Sequence, residues 1–266
     1  MNNKNRNVKL SIILVCLNNY ADVLKTIKSL NKLSYSNKEI IIIDSSDNDK
    51  IFKFVKTNDK FKYIYKWEKK NGVYSAMNLG IDTSSTGSYL WFLNPGDTLV
   101  DGIVVTEIME KLENSPANWS IAQARNAAPN EDQVYPKKID ILDKNRVANG
   151  KVKISHQAIF VLRETLISNG YFKTSYRIAA DQDMLMALVK HKPLFIPKII
   201  VEIDQTGLSS IHPIRTIYET IRVNYESRVW NSGKSFVVFL VKILTLFFGT
   251  IKLNLVKLIK EIQSSL

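Results

Sequence analysis

Glu39-Ile40-Ile41-Ile42-Ile43-Asp44 sets four consecutive β-branched residues between two carboxylates. A run this short and this apolar reads as a strand buried on both faces. Ser11-Ile-Ile-Leu-Val-Cys16 upstream is a second run of the same kind. Between them, Val23, Leu24, Ile27, Leu30 and Leu33 recur at helical spacing over Ala21 to Leu33. Downstream, a short helix is expected over Ile51 to Val55, a strand over Lys62 to Lys66, a helix over Ser75 to Ile81, a strand over Tyr89 to Leu93 and a helix over Val100 to Leu112. Strand and helix in alternation predict an α/β unit with a parallel sheet.

The second half is less regular. Asn114 to Lys153 is polar and broken by Pro116, Pro129 and Pro136, and is expected to be loop-rich. Ala158 to Leu162 reads as a strand and Asp181 to Val189 as a helix. Leu194 to Ile196 and Ile199 to Ile203 read as two short strands around Pro197. The expected organisation is a globular domain over residues 1–210 and a helical tail over 211–266. Met1 to Lys9 is polar, without the apolar core of a secretory signal, so a cytoplasmic location is expected.

The tail differs in kind. It carries eight basic residues against three acidic ones and is strongly apolar from Phe236 to Ile262. At about 100° per residue, Lys234, Lys242, Lys252, Lys257 and Lys260 fall in one arc of about 140°. Leu240, Leu244, Phe247, Phe248, Ile251, Leu255, Leu258 and Ile262 take the opposite face. A spanning helix lacks such a lysine stripe, whereas an in-plane helix at an anionic membrane surface has it. The alternatives are a helix packed on its own domain or on a second copy of the chain.

Composition excludes several classes. The chain has 266 residues, 45% of them hydrophobic, which is globular usage and not disorder. Its single cysteine, Cys16, excludes a disulfide framework and a cysteine-based metal centre. Three histidines, His156, His191 and His212, exclude a His-rich cage. No Gly-rich nucleotide loop follows a strand, and Gly233-Lys234-Ser235 fails as a P-loop because Arg228 stands where the first glycine belongs. The net charge of +12 suits a polyanion or an anionic membrane.

In an open parallel sheet a ligand sits beyond the carboxyl ends of the strands. Three expected strands end there in polar text: Leu17-Asn18-Asn19, Asp44-Ser45-Ser46-Asp47 and Asn94-Pro95-Gly96-Asp97. Asp44 is expected to meet a ligand, with Asp47 or Asn48 as the capping residue of the next helix. Asn94 to Asp97 reads both as a tight turn and as a holder for Asp97, a hard oxygen ligand for Mg²⁺ or Mn²⁺ beside a diphosphate.

These stretches resemble family 2 glycosyltransferases of the GT-A fold, in the subgroup that builds bacterial surface polysaccharides, colanic-acid-type enzymes among them. The resemblance runs through Ser11 to Val15, Glu39 to Ser46, Asn71-Gly-Val-Tyr-Ser-Ala-Met-Asn-Leu-Gly80, Tyr89 to Asp97, His156-Gln157 and Ala179-Ala-Asp-Gln-Asp-Met-Leu185. It covers roughly residues 8–210, and its specificity lies in the order and spacing of the motifs. It implies an α/β GT-A fold, a Rossmann-like mostly parallel sheet flanked by helices, with the C-terminal amphipathic helical tail beyond it.

By resemblance, Leu17 and Asn18 border the nucleobase and Asp44 contacts the uracil or ribose of a nucleotide-sugar donor. Gly72 and Asn78 shape the donor pocket. Asn94 and Asp97 occupy the DxD-type motif, with Asp97 the ligand for Mn²⁺ or Mg²⁺. Asp181 falls at the catalytic base, with Asp183 and His156 in support. Helix capping is the alternative for Asp181, and a structural histidine is the alternative for His156. Tyr74, Trp67 and Trp91 are candidates to stack on a base or sugar, with Trp91, mid-strand, reading as core.

The sequence departs from the DxD pattern at Asn94, its first position, as the subgroup often does, and from the subgroup at Lys70 and Ser75, where the subgroup often has Asp. The implied activity is metal-dependent, inverting transfer of a hexosyl or N-acetylhexosaminyl group to a lipid-linked saccharide. The implied place is the cytoplasmic membrane surface, with a homo-oligomer through the tail as the other use of that segment and no nucleic-acid partner. A polyanion-binding protein, or an inactive relative of the fold, is the competing expectation.

Overall fold

The computed structural model describes residues 8–58, 60–127, 133–204, 207–245 and 248. The chain divides into two compact units, Met1–Gly207 and Leu208–Leu266. The first unit opens with β1 (Leu10–Cys16), α1 (Tyr20–Ser29), β2 (Lys38–Asp44), α2 (Lys50–Thr57), β3 (Tyr63–Trp67), α3 (Val73–Thr83) and β4 (Tyr89–Leu93). It continues through β5 (Thr98–Leu99), α4 (Gly102–Glu113), β6 (Trp119–Asn126), β7 (Val134–Tyr135), α5 (Lys144–Ala148), β8 (Ile159–Leu162), α6 (Arg163–Ser168), α7 (Ala180–Leu188) and β9 (Leu194–Ile203).

The strands form one sheet in the order β3-β2-β1-β4-β8-β6-β9-β5, with β7 paired to β6. The β3-β2-β1-β4 half is parallel throughout. Ile40 to Ile43 are at most 1% exposed, as strands covered on both faces require. Beyond β4 the sheet turns mixed: β8 is antiparallel to both β4 and β6, and β6 is parallel to β9.

Two expectations need correction here. Residues 119–126, expected as loop, form β6, an interior strand of the second half. The two short strands around Pro197 are one strand, β9, whose register against β6 shifts between Ile121 and Gln123. Proline lacks the N–H that a ladder needs, so the chain bulges around it and resumes pairing.

Helices close both faces. Gly80 lets α3 lie on β1, since a Cβ there would stand 2.6 Å from Ile13 Cγ2. Gly102 begins α4 against the 3₁₀ turn Leu30–Lys32, where a Cβ would meet the Lys32 carbonyl oxygen at 1.9 Å. Asp101 caps α4 by accepting from the Ile103 and Val104 amides. Neither Asp47 nor Asn48 caps α2; the N-cap position is Asp49. Cys16 is buried at the end of β1, and burial, with the nearby Asp44 charge, pushes its thiol far above the ordinary value.

At the opposite end of the sheet lies a buried polar cluster. Glu39, 9% exposed, accepts from Ser11 Oγ (2.6 Å), Ser85 N (2.8 Å) and Ser85 Oγ (2.8 Å), while Ser11 also bonds Ser88. Burial alone raises its carboxyl, but these bonds and Lys9 outweigh burial and hold it below the ordinary value.

The second unit contains α8 (Leu208–Ile211), α9 (Pro213–Glu226) and a further helix over 232–245. Pro213 starts α9, where its missing N–H costs nothing. Glu219, buried, pairs with Arg215 at 2.8 Å. Along 232–245, Phe236, Val237, Leu240, Val241 and Leu244 are exposed and share an arc of about 140°. Lys234 and Lys242 stand outside that arc. The remainder of the expected amphipathic stretch, including Phe247, Ile251, Lys252, Leu255, Lys257, Leu258, Lys260 and Ile262, lies outside the described residues, as does Pro129. Among the described residues no helix is long and apolar enough to cross a membrane.

Candidate active site

Leu17 and Asn18 follow β1, Asp44 ends β2 and Asn94 to Asp97 follow β4, so these candidates share one end of the parallel half of the sheet. Asn94-Pro95-Gly96-Asp97 closes as a type II turn: the Asp97 amide donates to the Asn94 carbonyl at 3.1 Å and Gly96 has φ +100°. The Asp97 side chain folds back over it. Oδ2 accepts from the Asn94 amide (2.8 Å) and Oδ1 from the Asp204 amide (3.1 Å), and the carboxylate is 1% exposed. Burial pushes the Asp97 carboxyl up to about 6, against the downward pull of those amides, the His156 charge and the Gln157 side chain. Thr26 of α1 steadies the turn through the Gly96 amide at 2.9 Å.

Asp181 stands in the first turn of α7, one residue inside the helix, with Ala179 at the N-cap. Its Oδ1 accepts from the Gln182 amide at 2.8 Å and lies 3.4 Å from the Tyr74 hydroxyl. Its Oδ2 lies 3.3 Å from His156 Nδ1, and the side chain is 36% exposed. Asp183, in the same turn, pairs with Lys173 at 2.7 Å. Asp181 and Asp97 thus differ in kind: one is half-open at a helix start, the other enclosed beneath a turn.

The loops after β1 and β2 are laced together. Asn18, at φ +56°, donates its side-chain amide to Asp47 (2.8 Å) and accepts from the Asp47 backbone amide (3.0 Å). Leu17 is exposed at the rim. Asp44 has no exposed surface; its oxygens take the Ser46 amide (2.9 Å) and the Tyr65 hydroxyl (2.9 Å). Trp67 stays 60% exposed beside them, fixed by Nε1 donating to the Ser46 carbonyl at 3.1 Å. Gly72, at φ +92°, turns the chain into α3. Asn78 bonds both ways with the Phe172 backbone, at 2.9 and 3.0 Å.

Tyr74, a stacking candidate from sequence, is buried, and so is Trp91, which reads as core. Tyr74 stacks on Phe172, donates to the Ile178 carbonyl at 2.5 Å, and burial raises its phenol strongly. Trp91 donates to the Gln157 carbonyl at 2.8 Å. The sequence reading did not assign roles to Gln157, Tyr65, Lys173 or the Asp204 amide. Gln157 stood in the quoted His-Gln pair; the other three arrive by long-range folding and leave no local signal.

Among the described residues no group of three His, Cys, Asp or Glu side chains is arranged to hold a metal ion. Asp97 offers one hard carboxylate, each oxygen carrying one backbone bond and a lone pair to spare. That fits a small divalent cation that completes its shell with substrate phosphate oxygens.

The comparisons with known proteins bear on this arrangement. The chain is 27% identical over 218 residues to an uncharacterized glycosyltransferase, MT1564, of Mycobacterium tuberculosis, covering 80% of this chain and 81% of that protein. It is 26% identical over 199 residues to the GalNAc(5)-diNAcBac-PP-undecaprenol beta-1,3-glucosyltransferase of Campylobacter jejuni, covering 71% and 62%. In fold it resembles S. aureus TarS 1-349 in complex with UDP-GlcNAc, with a TM-score of 0.68 at 12% identity over 87% of this chain and 70% of that one. It also resembles the mannosyltransferase PcManGT of Pyrobaculum calidifontis in complex with GDP-Man and Mn²⁺, with a TM-score of 0.59 at 12% identity over 89% and 69%. These likenesses make the fold GT-A-like, a mixed sheet flanked by helices. The model for glycosyl transferase family 2 matches residues 11–170, and the chain belongs to that family.

Proposed function

We propose that the protein is an inverting glycosyltransferase that moves a sugar from a nucleotide-sugar donor, a UDP-sugar, to a hydroxyl of a lipid-linked or oligosaccharide acceptor in surface-polysaccharide synthesis. The observation that carries this reading is the pair of unlike carboxylates, Asp97 enclosed beneath its turn and Asp181 half-open beside His156.

Asp181 acts as general base. The acceptor oxygen bonds to the anomeric carbon, the bond from that carbon to the diphosphate breaks with its electrons, and the hydroxyl proton passes to Asp181. His156 and Asp183 support that side. Asp97 is the residue that would hold Mn²⁺ or Mg²⁺ on the diphosphate. When bound, the cation supplies compensation for the charge that develops on the leaving group. Leu17 and Asn18 border the base, with Asp44 bracing the loop beneath base and ribose through Ser46 and Tyr65. Gly72, Asn78 and Asn94 shape the sugar and diphosphate side. The donor sugar is of the hexosyl or N-acetylhexosaminyl type.

The exposed apolar arc of 232–245, with Lys234 at its edge and Lys242 on the opposite side, supports a peripheral place on the cytoplasmic face of the membrane, where a lipid-linked acceptor would be met. The polyprenyl-linked substrate in the name of the Campylobacter relative supports the same acceptor class. Pairing of two copies through this segment is the other use its apolar face allows.

The test is calorimetry and thermal shift with UDP, GDP, dTDP and CDP, each with and without Mn²⁺, on the wild type and Asp97→Ala. Stabilisation by UDP that needs the cation and is lost in the variant is expected. No response to any nucleotide would overturn the reading and leave an inactive or polyanion-binding protein.

A further inference from the structure

The turn that carries His156 and Gln157 is held rigidly. The Ala158 amide donates to the Ser155 carbonyl at 3.0 Å, Trp91 Nε1 donates to the Gln157 carbonyl at 2.8 Å, and Ser155 Oγ donates to Gln157 Oε1. The turn lies against β4, β6 and β9, and Gln157 is 4% exposed. From this base His156 reaches the acid of α7: its Nδ1 stands 3.3 Å from Asp181 Oδ2. Gln157 is tied within the turn, its Oε1 accepting from Ser155.

We infer that His156, held by this rigid turn, is the positioning residue for Asp181. The inference rests on the reading of Asp181 as base and adds how that base is aimed. An ionised carboxylate only accepts, so the proton in the pair belongs to His156 Nδ1. The other oxygen, Oδ1, is already tied by the Gln182 amide. With Nδ1–H on Oδ2, the carboxylate plane is fixed, and the remaining lone pair of Oδ2 faces outward from a side chain that is 36% exposed. Without the imidazole, a side chain that open rotates toward water. The alternative, a direct contact of the ring with substrate, is disfavoured by the enclosure of Nε2, which has no exposed surface.

Asparagine and glutamine separate the two ring nitrogens. An Asn amide N–H falls close to the place of Nδ1, and a Gln amide N–H reaches toward the place of Nε2. The experiment uses the full chain with His156→Ala, His156→Asn and His156→Gln. It follows UDP release from a panel of UDP-hexoses and UDP-N-acetylhexosamines with water as acceptor, together with UDP affinity by calorimetry.

His156→Ala should lower kcat by about 100-fold, the scale of an ångström-sized misplacement, with donor KM and UDP affinity unchanged. His156→Asn should recover most of the loss and His156→Gln should not. Recovery by Gln but not Asn overturns the inference, as does a fall in UDP affinity that matches the fall in kcat. If the alanine variant does not fold, Asn against Gln decides alone. Asp181→Asn separates the two levels. An active wild type whose Asp181→Asn variant is unimpaired overturns the base reading itself, whereas a dead Asp181→Asn beside an unimpaired His156→Ala overturns only the positioning.

Discussion

Glu39→Gln isolates one charge buried far from the candidate site. The carboxylate takes three short hydrogen bonds, from Ser11 Oγ, Ser85 N and Ser85 Oγ. The amide is nearly isosteric, so packing is kept and the charge is lost. A bond to a charged acceptor is worth about 1 kcal/mol more than its neutral counterpart, which gives about 3 kcal/mol over three bonds. Lys9 is 38% exposed at 3.7 Å and adds nothing countable. Relief from burying a charge offsets part of the sum, so the expected loss at pH 7 is about 2 kcal/mol.

The sign with pH follows from the lowered carboxyl. Ionised Glu39 stabilises the fold in full above its ordinary value of 4.5, and that contribution drains as pH falls through the lower folded value. The gap between wild type and variant should therefore be widest at pH 7 and close toward pH 3. The assay is reversible urea unfolding followed by tryptophan fluorescence, since Trp91 and Trp119 are fully buried in the same unit. A gap that stays constant from pH 7 to 3, or a variant more stable than wild type at pH 7, would refute the reasoning.

Gly102→Ala drives a Cβ to 1.9 Å from the Lys32 carbonyl, a backbone atom that cannot step aside. We expect a loss of about 3 kcal/mol, read as a lowered urea midpoint with unchanged slope. Leu240→Glu with Leu244→Glu in the full chain removes two leucines from the exposed arc of 232–245 and should weaken flotation with anionic liposomes at least about 100-fold. Undiminished flotation would assign that arc to something other than lipid.

The parallel half of the sheet was legible because β1, β2 and β4 are apolar runs too short for buried helices. β6 was not, for a physical reason. Its buried positions include Ala122, Ala124 and Ser120, small residues that let neighbours approach but carry little hydrophobic signal, and Gln123 interrupts them. β9 was split in the reading because Pro197 cannot join a ladder, yet the strand passes it by bulging.

In the site, the turn at Asp97 was legible from Pro95 and Gly96 alone. The bonds that hold Asp44 and Asn78 were not: Asp44 accepts from Ser46 and Tyr65, and Asn78 bonds the Phe172 backbone. Those partners lie up to 94 residues away, and no local pattern announces them.

Cys16 carries a practical consequence. Its thiol is 4% exposed and held in the protonated form by burial beside Asp44, so it is a poor nucleophile at neutral pH. Maleimide reagents should therefore spare it in the folded chain. A single cysteine introduced at an exposed position such as Ile103 or Ile141 would take a fluorophore or spin label selectively, without first removing the natural one. The wild-type background is ready-made for distance measurements.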